Sequence, residues 1–214
     1  MCMLCKIFGS SIGRKVMVAL AGLALCGFLI VHLAGNLFFF VGEGAFNHYA
    51  EAIANNKLLP AAEIALLVLF ALHILVSLKL RWENKQARPV GYEKYQSKGG
   101  RSWGSSTMTW TALLVLAFLI VHLKTFRFGN DDQGLYALVM SWFKNPFYVA
   151  FYVIAMLGLG LHLSHGVQSA FQTLGLNHPK YTPAIRKLGF AFAFVICAGF
   201  ASIPLWAFFM GGAR

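Results

Sequence analysis

Five long apolar stretches with almost no charge inside them set the limits on what this chain can fold into. They run over about residues 16–41, 61–80, 107–123, 146–171 and 188–210. Crossing a bilayer core as a helix takes roughly 20 apolar residues. Four stretches meet that length easily and the third sits at its short limit. Pro146 opens the fourth stretch, where proline suits a first helical turn. Pro204 lies near the end of the fifth, where a kink is tolerable in a membrane helix. Composition agrees, with 58% apolar residues, 20 phenylalanines and 12% charged residues. A soluble domain carries about 25% charged residues, so this chain has too little polar surface to cover itself in water. The expected fold is all-α and integral to the membrane: one domain over residues 1–214, a bundle of five transmembrane helices.

The net charge of +11 does not point to nucleic acid, because the basic residues flank the apolar stretches. Thirteen of the 18 Lys and Arg fall on one side of the expected bundle: Lys6, Arg14, Lys15, then Lys79 through Arg101, then Lys180, Arg186 and Lys187. The other side has Lys57, Lys124, Arg127, Lys144 and Arg214. Positive charge marks the cytoplasmic side, which puts the N-terminus inside and the C-terminus outside. The first apolar run exceeds the roughly 7–15 residues of a signal-peptide core and reads as a retained anchor. Cys2 and Cys5 form a lone C-x-x-C without the second pair that a zinc site requires. Cys26 and Cys197 lie in apolar stretches, where thiols pack as small hydrophobes. Residues 45–58 are polar on one side and apolar on the other, as in a short helix on the outer interface. The cytoplasmic loop with Tyr92, Tyr95 and Trp103 is either a solvated linker or a docking surface for a soluble partner.

Ionisable residues inside a membrane are costly and mark function. Four of the five stretches carry histidine: His32, His73, His122, and His162 with His165. Depth sorts them. His32 lies about 25 Å beyond Lys15 at 1.5 Å per residue, and His122 ends the third stretch, so both belong near the outer side. His73 lies roughly 9 Å and His162 roughly 14 Å from the cytoplasmic ends of their stretches. Histidines on facing helices can clamp a haem iron from both faces, and with both axial positions filled the iron carries electrons. The pattern predicts two b-type haems, an outer one on His32 and His122 and an inner one on His73 and His162. His165, three residues after His162, shares nearly the same face and is the alternative inner ligand. His162 is preferred because Gly166 follows one turn later and leaves room for a ring edge. Gly35, Gly158 and Gly160 serve either close porphyrin approach or helix packing. Ser77, one turn from His73, is a candidate partner for a ligand ring nitrogen. His48 and His178 fall in loops.

Three groups of motifs resemble a known family. They are Ser10-Ser11-Ile12-Gly13-Arg14-Lys15, His32-Leu33-Ala34-Gly35-Asn36-Leu37 with Phe46-Asn47-His48-Tyr49-Ala50-Glu51, and Leu161-His162-Leu163-Ser164-His165-Gly166 followed by Tyr181-Thr182-Pro183. Over essentially the whole chain they look like the cytochrome b subunit of succinate dehydrogenase and fumarate reductase, of the five-helix, two-haem, menaquinone-linked type. The resemblance implies His32 and His122 on a distal haem and His73 and His162 on a proximal one. It implies menaquinone as substrate, a flavoprotein subunit with FAD, an iron–sulfur subunit, a complex that dimerises, and the inner membrane of a bacterium. Dicarboxylate chemistry would fall to the partner subunits, since this chain has no G-x-G-x-x-G fingerprint and no cysteine cluster. Some family members carry a glutamate two residues before the fourth-helix ligand, where this chain has Gly160. The acidic candidates for a quinone site are Glu51 and Glu63, with His48 beside them. Two other readings stay open: a cytochrome subunit of another quinone-linked enzyme such as a hydrogenase, and a transporter whose histidines relay protons.

Overall fold

A computed structural model of the chain describes residues 9–87, 102–130 and 132–211. Cys2, Cys5, Lys6, Arg214 and the loop with Arg88, Tyr92 and Tyr95 lie outside the described residues.

Among the described residues the chain is all-helical, with seven α-helices. Helix α1 spans Ser11–Asn36 and continues as a 3-10 turn over Leu37–Phe40. A short helix α2 covers Glu43–Ala54, followed by α3 over Leu59–Gln86. Helix α4 spans Trp103–His122 and runs into a π-helical turn at Leu123–Arg127. A second short helix, α5, covers Leu135–Trp142, and α6 and α7 span Pro146–Thr173 and Thr182–Met210. Five of these, α1, α3, α4, α6 and α7, are long and apolar enough to cross a membrane.

Local chemistry explains where the helices begin. The hydroxyls of Ser10 and Ser102 accept hydrogen bonds from the amides of Gly13 and Ser105, and the Asn145 side chain accepts from Phe147 and Tyr148. These side chains satisfy amides that have no partner inside the helix. Pro146 stands in the first turn of α6, as its position predicts. Pro204 is buried inside α7, which continues past it to Met210. Several boundaries shift: α1 begins at Ser11, α4 at Trp103 and α7 at Thr182, so Arg14, Lys15, Trp103, Arg186 and Lys187 are helical. Helix α3 extends to Gln86, well past position 80, so Lys79, Arg81 and Lys85 sit on the helix rather than in a loop. The Arg14–Glu83 ion pair, at 2.6 Å, ties that extension to the start of α1. Helix α5 was not apparent in the sequence.

The core lies among α1, α6 and α7. One cluster joins Leu33, Ala155, Met156, Leu159, Leu163, Ala193 and Ile196; Cys26 and Cys197 pack on its edge. The other is aromatic, built around Phe39, Phe46, Phe143 and Tyr152. Small residues set the helix spacing. A Cβ at Gly158 would come 2.6 Å from Leu114 of α4, and one at Gly160 would come 3.1 Å from Cys197 of α7. These two glycines therefore serve helix packing, as small residues do in membranes. Helix α3 is different: none of its residues is buried, and its main neighbour is α1.

The two short helices dock on each other. The Asn47 side chain of α2 accepts a hydrogen bond from the Tyr136 amide at 2.9 Å and so caps α5. Gly134, with φ of 89°, lets the backbone turn there, and a Cβ would come 2.6 Å from Asn47. Tyr49 stacks on Phe38 with ring centroids 5.1 Å apart. It also fills the space over Gly35, where a Cβ would come 2.6 Å from the tyrosine ring. Gly35 thus receives a tyrosine ring from α2.

Candidate functional site

The histidines of the membrane-length helices meet across the bundle in two pairs. His32 of α1 and His122 of α4 have ring centroids 5.9 Å apart. His73 of α3 and His162 of α6 have centroids 6.4 Å apart. The two levels separate cleanly. His73 lies against Gly22, ten residues before His32 on α1. Tyr152, beside His122, lies ten residues before His162 on α6. Each spacing corresponds to about 15 Å of helix, roughly half a bilayer core of about 30 Å.

Each pair can be tested for room to hold a metal. Imidazole nitrogens bind a metal ion at about 2.0–2.1 Å, so an ion clamped between two of them puts the ring centroids about 6 Å apart. Both pairs stand at that separation. In the His73–His162 pair, Nδ1 of His162 is buried without a hydrogen-bond partner, and the His73 ring lies against the backbone of Val18 on α1. The Nδ1 edge of His73 faces α1: a Cβ at Gly22 would come 3.2 Å from Cε1 and 3.5 Å from Nδ1. Gly166 has no atom within 4 Å of an added Cβ, which keeps the space one turn after His162 free. Among the described residues no three His, Cys, Asp or Glu side chains converge as a metal cluster, so each pair offers only two protein nitrogens. That donor set suits a metal whose remaining positions come from a macrocycle such as haem.

The His32–His122 pair is enclosed by aromatic rings. Phe28 stacks on His32 at 5.2 Å and Phe118 on His122 at 5.4 Å, with Phe200 and Phe126 beside them. Polar partners reach this pair. Asn36 donates to the His32 backbone carbonyl at 2.8 Å. Tyr152 Oη lies 3.4 Å from His122 Nδ1. Tyr148 Oη is 3.2 Å from Tyr152 Oη and 2.8 Å from Thr125 Oγ1.

The remaining candidates fall elsewhere. His165 is half-buried, and its Cβ lies against Gly104 of α4; His162, not His165, is the residue whose ring meets His73. Ser77 makes no hydrogen bond to His73. His48 and Glu51 are exposed, and both lie on α2, so His48 is helical rather than in a loop. Glu63 pairs with Arg127 at 2.7 Å, linking the start of α3 to the π turn of α4. His178 is exposed and packs its ring on Tyr181 at 5.3 Å. Gly22, Tyr148, Tyr152 and Thr125 carry no motif of their own. The available signals were spacing alone: a glycine ten residues before His32, and a tyrosine pair one turn apart, ten residues before His162.

Five membrane-length helices and two histidine pairs between them mark a multi-pass membrane protein that is all-helical among the described residues. Compared with protein families, curated proteins and solved structures, the chain finds no match in any of the three.

Proposed function

We propose that the chain is a membrane-anchor cytochrome b that holds two haems and carries electrons between a membrane quinone and soluble partner subunits. The observation that carries this reading is the double pairing of histidines across helices at two levels. A proton relay needs ionisable groups strung along one path, whereas these four rings face one another two by two. His32 with His122, and His73 with His162, would supply the axial nitrogens. A bound haem iron with both axial positions filled supplies one-electron redox chemistry. The helices hold each ligand ring, and the outer site's aromatic surroundings keep water from it.

The motifs quoted above favour the succinate dehydrogenase and fumarate reductase type. On that reading menaquinone is the membrane substrate, and FAD and iron–sulfur clusters belong to the partner subunits. The chain sits in the cytoplasmic membrane of a bacterium, with its N-terminus inside. A side chain at position 160 would meet Cys197 on α7, so an acid there has no place in this packing.

The test is a reduced-minus-oxidised visible spectrum and a haem-to-protein ratio on the purified membrane protein. Two haems per chain are expected, falling to one in His73→Ala and one in His32→Ala. A well-expressed, colourless protein refutes the reading. Co-purification with a flavin-containing subunit separates the dehydrogenase type from a hydrogenase-type cytochrome.

A further inference from the structure

The hydroxyls beside His122 form a chain that the two-haem reading does not by itself require. Tyr152 is buried, 5% exposed, and so is Thr125, 6% exposed. Their oxygens and that of Tyr148 connect His122 Nδ1 to the π turn in three steps of 3.4, 3.2 and 2.8 Å. The π turn immediately follows His122 and places Thr125 within reach of Tyr148; such turns recur at functional sites. At the other pair Nδ1 of His162 has no partner, and His73 meets the backbone of Val18 rather than a hydroxyl.

We infer that Tyr152 is a positioning residue for His122, and that Tyr148 and Thr125 hold the Tyr152 hydroxyl against its Nδ1. The inference rests on the proposal that His122 is an axial ligand. A metal on the lone pair of Nε2 would leave the proton on Nδ1. His122 Nδ1 would then donate to the Tyr152 hydroxyl, which Tyr148, within hydrogen-bond reach of both Tyr152 and Thr125, holds in place. Donation from a ligand imidazole raises its basicity and fixes its ring plane. A more basic ligand would favour the oxidised iron, so the hydroxyl chain would lower the reduction potential at the site it serves.

The test is a redox titration of Tyr152→Phe in the purified two-haem protein, followed by visible and electron paramagnetic resonance spectra. His32→Ala and His73→Ala assign the two components. The outer component should move positive by about tenfold in its reduction equilibrium, about 59 mV for one electron, with the inner component unmoved. Phe keeps the ring, so the surrounding aromatic packing survives. If Tyr152→Phe loses the outer haem outright, Tyr148→Phe decides. It leaves Tyr152 in place, cuts the chain one link further out, and should give a smaller shift of the same sign. Two haems with unchanged potentials in both variants overturn the inference and leave the cytochrome reading standing. A wild-type protein without haem overturns both.

Discussion

Gly22 offers the sharpest test of the haem site proposed at His73 and His162, because one methyl group acts there on a ring and on little else. An added Cβ would stand 3.2 Å from His73 Cε1. Carbon atoms pack best at about 3.5–4.0 Å, so the ring must retreat by about 0.3–0.8 Å. Functional side chains must be held within about 0.5 Å of their productive geometry. Gly22→Ala should therefore disturb ligation by His73 and leave the outer pair alone. The fold should not suffer, because alanine improves helix propensity over glycine by about 0.8–1.0 kcal/mol. Gly27 is the matched control: it lies on the same helix, and nothing stands within 4 Å of its added Cβ. The assay is haem content per chain with component-resolved redox titration, beside a thermal melt of each variant. Gly22→Ala should lower affinity at the inner site by about tenfold or more, while Gly27→Ala stays at the wild-type level. Equal haem content and unchanged inner spectra in both variants would refute the placement of His73 as a ligand packed on α1.

Three further outcomes follow from the packing. Phe39 is fully buried among Phe40, Phe46, Tyr136 and Trp206, and Phe39→Ala should cost about 3–5 kcal/mol in equilibrium unfolding in mixed detergent. At Gly104 a Cβ would come 2.9 Å from the Leu161 carbonyl oxygen; backbone yields poorly, so Gly104→Ala should lower stability by about 1–3 kcal/mol in the same assay. In the Arg14–Glu83 pair the arginine side chain is 13% exposed and its Nε has no partner. Removing the carboxylate leaves a largely buried guanidinium uncompensated, so Glu83→Leu should destabilise by about 1–3 kcal/mol. Arg14→Met with Glu83→Leu should recover most of that loss in a melt, and a double variant less stable than Glu83→Leu alone would contradict the account.

The motifs that carried the resemblance take on separate physical roles in the fold. In Phe46-Asn47-His48-Tyr49, the asparagine caps α5, Tyr49 packs over Gly35, and Phe46 is core. His48 and Glu51 are exposed on α2. Glu63 is occupied by Arg127.

The five spans were legible in the sequence because a bilayer permits few solutions to twenty consecutive apolar residues. The depth of each histidine was legible too, because a helix advances by a fixed rise and flanking charges mark one end. From those two facts alone came the grouping of His32 with His122 and His73 with His162. Tertiary structure decided what periodicity does not carry. The choice of His162 over His165 as the ring that meets His73 depends on how α3 and α6 are rotated, and three residues span less than one turn. The separate uses of Gly22, Gly35, Gly160 and Gly166 depend on which side chain arrives from another helix. The tyrosine chain behind His122 exists only because a π turn brings Thr125 back toward α6, and local sequence does not announce a contact made by a residue 23 positions away.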